Sequence, residues 1–137
     1  MIKLDQLLTL LNNQSDSLLV INFWATWCKP CAEEMQEFLR VEQEFENEKI
    51  KFIYLSLDFK RDFETKLKPF AEKRKMQSDV LLLDEPDYDA WINMVEPTWQ
   101  GSIPATLILT PKAENRNFHE GQLSYIELKK LITTYLP

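Results

Sequence analysis

The side chains best suited to chemistry in this sequence are two cysteines, Cys28 and Cys31, separated only by Lys29 and Pro30. They stand where an almost unbroken apolar run, Leu18-Leu19-Val20-Ile21-Asn22-Phe23-Trp24, gives way to a polar stretch opened by Pro30. A thiol at the start of a helix faces unpaired N–H groups and the positive end of the helix dipole. Its thiolate is stabilised there, and its pKa falls below the free-thiol range. Lys29 adds a positive charge that pushes the same way. Pro30 suits the first helical turn, where its missing N–H costs nothing. Cys31 lies three residues beyond Cys28, within reach for a disulfide. Such a pair can attack a disulfide, pass through a mixed disulfide and leave as an internal one, with Cys28 as nucleophile and Cys31 resolving.

Other uses of the pair stay open on these residues. A C-x-x-C can be half of a zinc site, but the chain offers only Cys28, Cys31 and His119 as soft ligands, so closure would need a carboxylate or a second subunit. Haem attachment needs a histidine directly after the second cysteine, where Ala32 stands. A purely structural disulfide across so short a loop removes little chain entropy. The place of the motif, before a helix and inside a strand–helix–strand pattern, favours redox exchange with no metal and no cofactor.

The elements that must position the pair are legible from periodicity. Leu4, Leu7, Leu8 and Leu11 follow helical spacing. The run from Leu18 to Trp24 predicts a central strand buried on both faces. A long helix is expected from Pro30 to about Asn47, a second buried strand over 50–57, and a helix through Phe63, Leu67, Phe70 and Ala71. A short strand over 80–83, a short helix over 88–95 ended by Pro97, strands over 105–110 and 116–120, and a closing helix marked by Leu128, Leu131, Ile132 and Tyr135 complete the chain. Strands alternating with helices predict an α/β fold whose central sheet is mixed, with helices on both faces and the last two strands antiparallel at one side. Active groups in such sheets gather beyond the carboxyl ends of strands, which is where Cys28 falls.

Length and composition agree with this reading. At 137 residues the chain is expected to be one domain, residues 1–137, with 45% hydrophobic and 28% charged residues, a balance that argues against disorder. Two glycines are too few for a phosphate-binding loop, and a net charge of −6 argues against a nucleic-acid partner. Lys66, Lys68, Lys73, Arg74 and Lys75 read as a solvated helix face. No run of apolar residues is long enough to span a membrane. Met1 to Gln6 carries an acid and an amide where a signal peptide needs an apolar segment, so a cytoplasmic protein is expected if this is the native start.

The segment Asn22-Phe23-Trp24-Ala25-Thr26-Trp27-Cys28-Lys29-Pro30-Cys31 resembles the active site of the thioredoxin superfamily, and within it the TlpA/ResA branch of thiol–disulfide oxidoreductases. Gly101-Ser102-Ile103-Pro104-Ala105-Thr106 resembles the cis-proline loop of the same superfamily. The resemblance implies a thioredoxin-like fold over the whole chain and a protein-disulfide reductase. It also implies a cis Ile103–Pro104 bond packed on the disulfide, with the Ile103 backbone free to pair with an extended substrate. A protein disulfide or dithiol is the implied partner, with electrons from an external donor and the chain acting as a monomer. The branch is generally extracytoplasmic and often membrane-tethered, which implies an export signal outside this sequence.

Thioredoxins proper usually carry an aspartate where this chain has Asn22, and an amide cannot titrate. Glu34, three residues after Cys31 on one helix, is the candidate for moving the proton, as the branch pattern implies. Glu33, Glu34 and Glu37 also read as ordinary acids near a helix N-terminus. Trp27, Lys29, Pro30, Ile103 and Pro104 form the expected substrate-facing set, while Trp24 is expected in the core. Trp99 either lines the groove or packs under the loop, and His119 is expected on a surface hairpin. Two rival readings remain: a peroxide-reducing member of the superfamily, and a binding module with idle cysteines. The former usually sets its cysteine in a Pro-x-x-x-Thr-x-x-Cys context that Phe23 to Cys31 lacks.

Overall fold

Strand β1 (Leu18–Trp24) is buried along its whole length, as its apolar run predicts. It lies at the centre of a five-stranded sheet in a computed structural model that describes residues 1–136. The others are β2 (Ile50–Ser56), β3 (Asp79–Leu82), β4 (Ala105–Leu109) and β5 (Arg116–Glu120), in the order β3-β2-β1-β4-β5. β1, β2 and β3 run parallel, β4 is antiparallel to β1, and β5 is antiparallel to β4. The mixed sheet and its antiparallel side agree with the expectation.

Side chains alternate across a strand, so β1 serves two cores. Leu18, Val20 and Trp24 face α2 (Lys29–Glu44) and α5 (Tyr125–Tyr135), where Met35, Phe38, Val41, Leu128 and Ile132 join them. Leu19, Ile21 and Phe23 face the other way, against Leu7 of α1 (Leu4–Leu11) and Trp91 and Val95 of α4 (Tyr88–Val95). Asn22 shares the parity of Val20 and Trp24, so the one polar side chain of β1 is aimed at α2.

Two helices depart from expectation for physical reasons. The helix expected through Phe63 and Phe70 is a chain of turns: a 3₁₀ turn (Lys60–Asp62), a π-helical turn (Phe63–Leu67) and then α3 (Lys68–Lys73). Pro69 has no N–H to donate to the carbonyl four residues back, and its ring crowds that carbonyl, so the ladder widens before it. α2 stops at Glu44, short of Asn47. Glu44, Glu46 and Glu48 put negative charge at the negative end of the dipole with no basic residue in the last turn.

Candidate active site

Cys28 is the N-cap of α2, with extended backbone, and its Sγ accepts a hydrogen bond from the Cys31 N–H at 3.3 Å. The two cysteines form a disulfide with their Cα atoms 5.2 Å apart. Cys28 is 5% exposed and Cys31 1%, so the outer sulfur belongs to Cys28. Lys29 and Pro30 between them are exposed, and Trp27 is 59% exposed beside them. Trp24 is buried in the core, as expected, and its Nε1 is the one buried side-chain nitrogen or oxygen without a hydrogen-bond partner among the described residues.

The second motif meets the first at sulfur. Ile103–Pro104 is cis, as the resemblance implies, and the Ile103 carbonyl oxygen lies 3.8 Å from Cys28 Sγ. Residues 100–104 are held from behind by a set of ties. The Glu120 carboxylate accepts from the N–H groups of Gln100 and Ser102, at 3.1 and 3.2 Å, and from the Ser102 hydroxyl. The Trp99 indole N–H donates to the Ser102 carbonyl at 2.9 Å, and the Asn93 amide donates to the Trp99 carbonyl. Trp99 is therefore a packed loop aromatic, tilted against Phe23 at 4.8 Å, and does not line a groove. Gly101 has φ +94°, a conformation that a side chain would strain.

Glu34 is the buried acid of the site, 1% exposed on the same helix as Cys31. Its Oε1 accepts from the Leu123 N–H at 3.0 Å, and its Oε2 accepts from the Asn22 amide at 3.4 Å. The same Asn22 amide reaches the Thr106 hydroxyl. Burial pushes the Glu34 carboxyl up to about 7, against the Leu123 and Asn22 donors, which favour its anion. Glu33 and Glu37 are not buried with it. Asn22 is thus a satisfied amide that also touches the one acid with a raised pKa on α2.

The other candidates sort out differently. His119 lies half-buried on β5 with its ring nitrogen 3.3 Å from the Gln122 carbonyl oxygen. Lys66, Lys68, Lys73 and Lys75 are exposed, as a solvated face should be. Arg74 departs from that group: its guanidinium sits over the Phe70 ring and donates to the Ala32 carbonyl in the first turns of α2. Sequence reasoning missed Glu120 behind the proline loop, Leu123 at Glu34, and a third residue beside the cysteines. Asp58, just past the carboxyl end of β2, is 3% exposed and bonded to Thr26, two residues before Cys28. Its signal was its place beyond a strand end, at the same edge as the cysteines.

A sequence profile described as the AhpC/TSA family matches residues 4–115, most of the chain. The chain belongs to the AhpC/TSA family. Among its relatives is the thioredoxin-like protein YneN of Bacillus subtilis (strain 168), 27% identical over 111 residues, which are 81% of this chain and 61% of YneN. The chain therefore spans less than two thirds of that relative's length. Solved structures with the same fold include a thiol:disulfide interchange protein of Chlorobium tepidum TLS, with TM-score 0.73 at 17% identity, covering 94% of this chain and 84% of that one. StoA from Bacillus subtilis gives 0.63 at 18% identity over 85% and 82% of the two chains. A secreted Mycobacterium tuberculosis disulfide oxidoreductase, described as homologous to E. coli DsbE, gives 0.66 at 18% over 88% and 84%. This AhpC/TSA chain thus has the thioredoxin-like fold, and its cysteine pair sits at the head of α2 as a closed disulfide.

Proposed function

We propose that the protein is a thiol–disulfide oxidoreductase that reduces protein disulfides. The observation that carries this reading is the Cys28–Cys31 disulfide at the N-cap of α2, with its outer sulfur against the Ile103 carbonyl. In the reduced protein the Cys28 thiolate attacks a substrate disulfide. One S–S bond breaks, a mixed disulfide forms, and one substrate thiolate leaves. The Cys31 thiolate then attacks Cys28 Sγ and releases the second substrate thiolate, leaving the internal disulfide. Two electrons pass to the substrate, and an external donor restores the dithiol. Glu34, poised near neutrality and a helical neighbour of Cys31, takes the Cys31 proton as the resolving thiolate forms.

The substrate lies extended over Trp27, Lys29 and Pro30 on one side and Ile103 and Pro104 on the other, pairing with the Ile103 backbone as an added strand would. The protein acts as a monomer without cofactor or metal. An extracytoplasmic site of action fits the TlpA/ResA resemblance and the secreted mycobacterial relative. Among the described residues no helix is long and apolar enough to cross a membrane.

The deciding assay is reduction of insulin in the presence of a small dithiol, run beside consumption of hydrogen peroxide. Catalysed insulin precipitation without peroxide turnover is expected. Peroxide turnover alone would make the chain a peroxidase, and silence in both assays would leave a binding module. The fastening of the proline loop adds a kinetic expectation. Glu120→Ala cuts the ties to Gln100 and Ser102, so KM for insulin should rise about tenfold while the thiol pKa of Cys28 stays put. Steady-state kinetics with an alkylation profile check this, and an unchanged KM would refute it.

A further inference from the structure

The turn that delivers Cys28 to the head of α2 has little of its own to hold it. Ala25-Thr26-Trp27 leaves β1, and within it only the Cys28 N–H to Ala25 carbonyl bond, at 3.2 Å, closes the turn on itself. Ala25 is buried in the core, but Trp27 is exposed and Thr26 only half-buried, so packing does little to fix the middle of the turn. The main restraint comes from across the sheet. Asp58 Oδ1 accepts from the Thr26 hydroxyl at 2.6 Å, and both of its oxygens accept from the Thr26 N–H, at 3.2 and 3.1 Å. The carboxylate is itself oriented by Ser56, whose hydroxyl donates to Oδ2 at 2.5 Å and accepts from the Asp58 N–H at 2.9 Å. A further bond, Leu57 N–H to the Trp24 carbonyl at 2.7 Å, joins the same two strand ends. A carboxylate 3% exposed is costly to bury. Here each oxygen is spent on the approach to the nucleophile or on the residue that orients it.

We propose that Asp58 is a positioning residue: it clamps Thr26, and through that turn it holds Cys28 at the N-cap of α2, where its sulfur accepts the Cys31 N–H. The inference deepens the exchange mechanism proposed above, because that mechanism needs a Cys28 thiolate held in the cap. Asp58 touches no reacting atom. It acts on the thiolate by fixing geometry, and its own negative charge opposes that effect.

That opposition gives the test its sign. A bare loss of negative charge near a thiolate lowers the thiol pKa. Loss of the clamp lets Cys28 drift from the cap and raises it toward the free-thiol value. The measurement is the pH dependence of iodoacetamide alkylation of Cys28 in the reduced full-length protein, with folding followed by circular dichroism. No substrate is involved, so the result stands apart from the fate of the reductase reading. Thr26→Val removes the hydroxyl donor at constant shape and charge, and Thr26→Ser restores it. The midpoint should move up by about half a unit to one unit in Thr26→Val and in Asp58→Asn, and return to the wild-type value in Thr26→Ser. A Thr26→Val midpoint that stays in place, or an Asp58→Asn midpoint that moves down, overturns the proposal, even if both variants melt earlier. If Asp58→Asn does not fold, the Thr26 pair decides alone.

Discussion

A Cys31→Ser variant should react once with a protein disulfide and stop, accumulating as a mixed disulfide through Cys28. Serine keeps the size and the helix but offers no thiolate to resolve the intermediate, so the second substrate sulfur is never released. Cys28→Ser should trap nothing. Its remaining thiol is Cys31, 1% exposed and one helical turn inside α2, where no substrate sulfur can line up with it. Both variants should lose insulin reduction by about 10³-fold or more, since each removes one half of a unit that works only as a pair. Non-reducing electrophoresis separates them: a ladder of substrate adducts for Cys31→Ser, none for Cys28→Ser. Equal trapping by the two variants would show that the assigned order of attack is wrong.

Glu34→Gln carries the second large effect, and it is read in stability. The Glu34 carboxyl titrates near 7 in the folded chain and close to 4.5 when unfolded. Between those values the folded state holds a proton that the unfolded chain has given up. Stability therefore falls as pH rises through this window, and it levels off above about pH 8. The loss amounts to about 3 kcal/mol between pH 4.5 and pH 8. Glutamine cannot titrate, and its carbonyl can still accept the Leu123 N–H. Urea unfolding of the oxidised protein should show wild type losing ground steadily to Glu34→Gln from pH 5 to pH 8. Parallel curves would mean that Glu34 titrates as an ordinary surface acid. In turnover, the same substitution should flatten the rise in wild-type rate through neutral pH.

The route from residues to site was short where the signals were local. The apolar run from Leu18 to Trp24 read as a strand buried on both faces because alternating parity left no polar side for water. Cys28, Lys29, Pro30 and Cys31 announced a helix start through the conformational habits of proline. Helical periodicity through Phe63, Leu67, Phe70 and Ala71 placed a helix there but not its π-helical first half, since it does not register the missing N–H of Pro69. What stayed hidden was long-range. The Glu34 carboxylate is paired by a backbone group 89 residues away, and Asp58 is satisfied by a turn 32 residues earlier. Asp58 looks like a routine charged residue in the sequence, and Glu34 stands out from Glu33 and Glu37 only through the branch pattern. The burial of Asp58 and Glu34 is decided by which strands become neighbours, and parallel pairing of β1 with β2 is what brings Asp58 beside Thr26.

The bond from the Leu123 N–H to Glu34 has a consequence for how this site could diverge among relatives. The family profile ends at residue 115, and Leu123 lies beyond it, in the segment that leads into the last helix. The cysteines, the proline loop and Glu34 itself all fall inside the matched stretch. The acidity of Glu34 is thus set partly by a part of the chain that the shared signature does not cover. Two family members could keep every motif residue and still run the resolving step at different pH, simply by ending β5 and entering the final helix in another way. The segment between β5 and α5 therefore bears on the protonation of Glu34 as well as on the packing of the last helix.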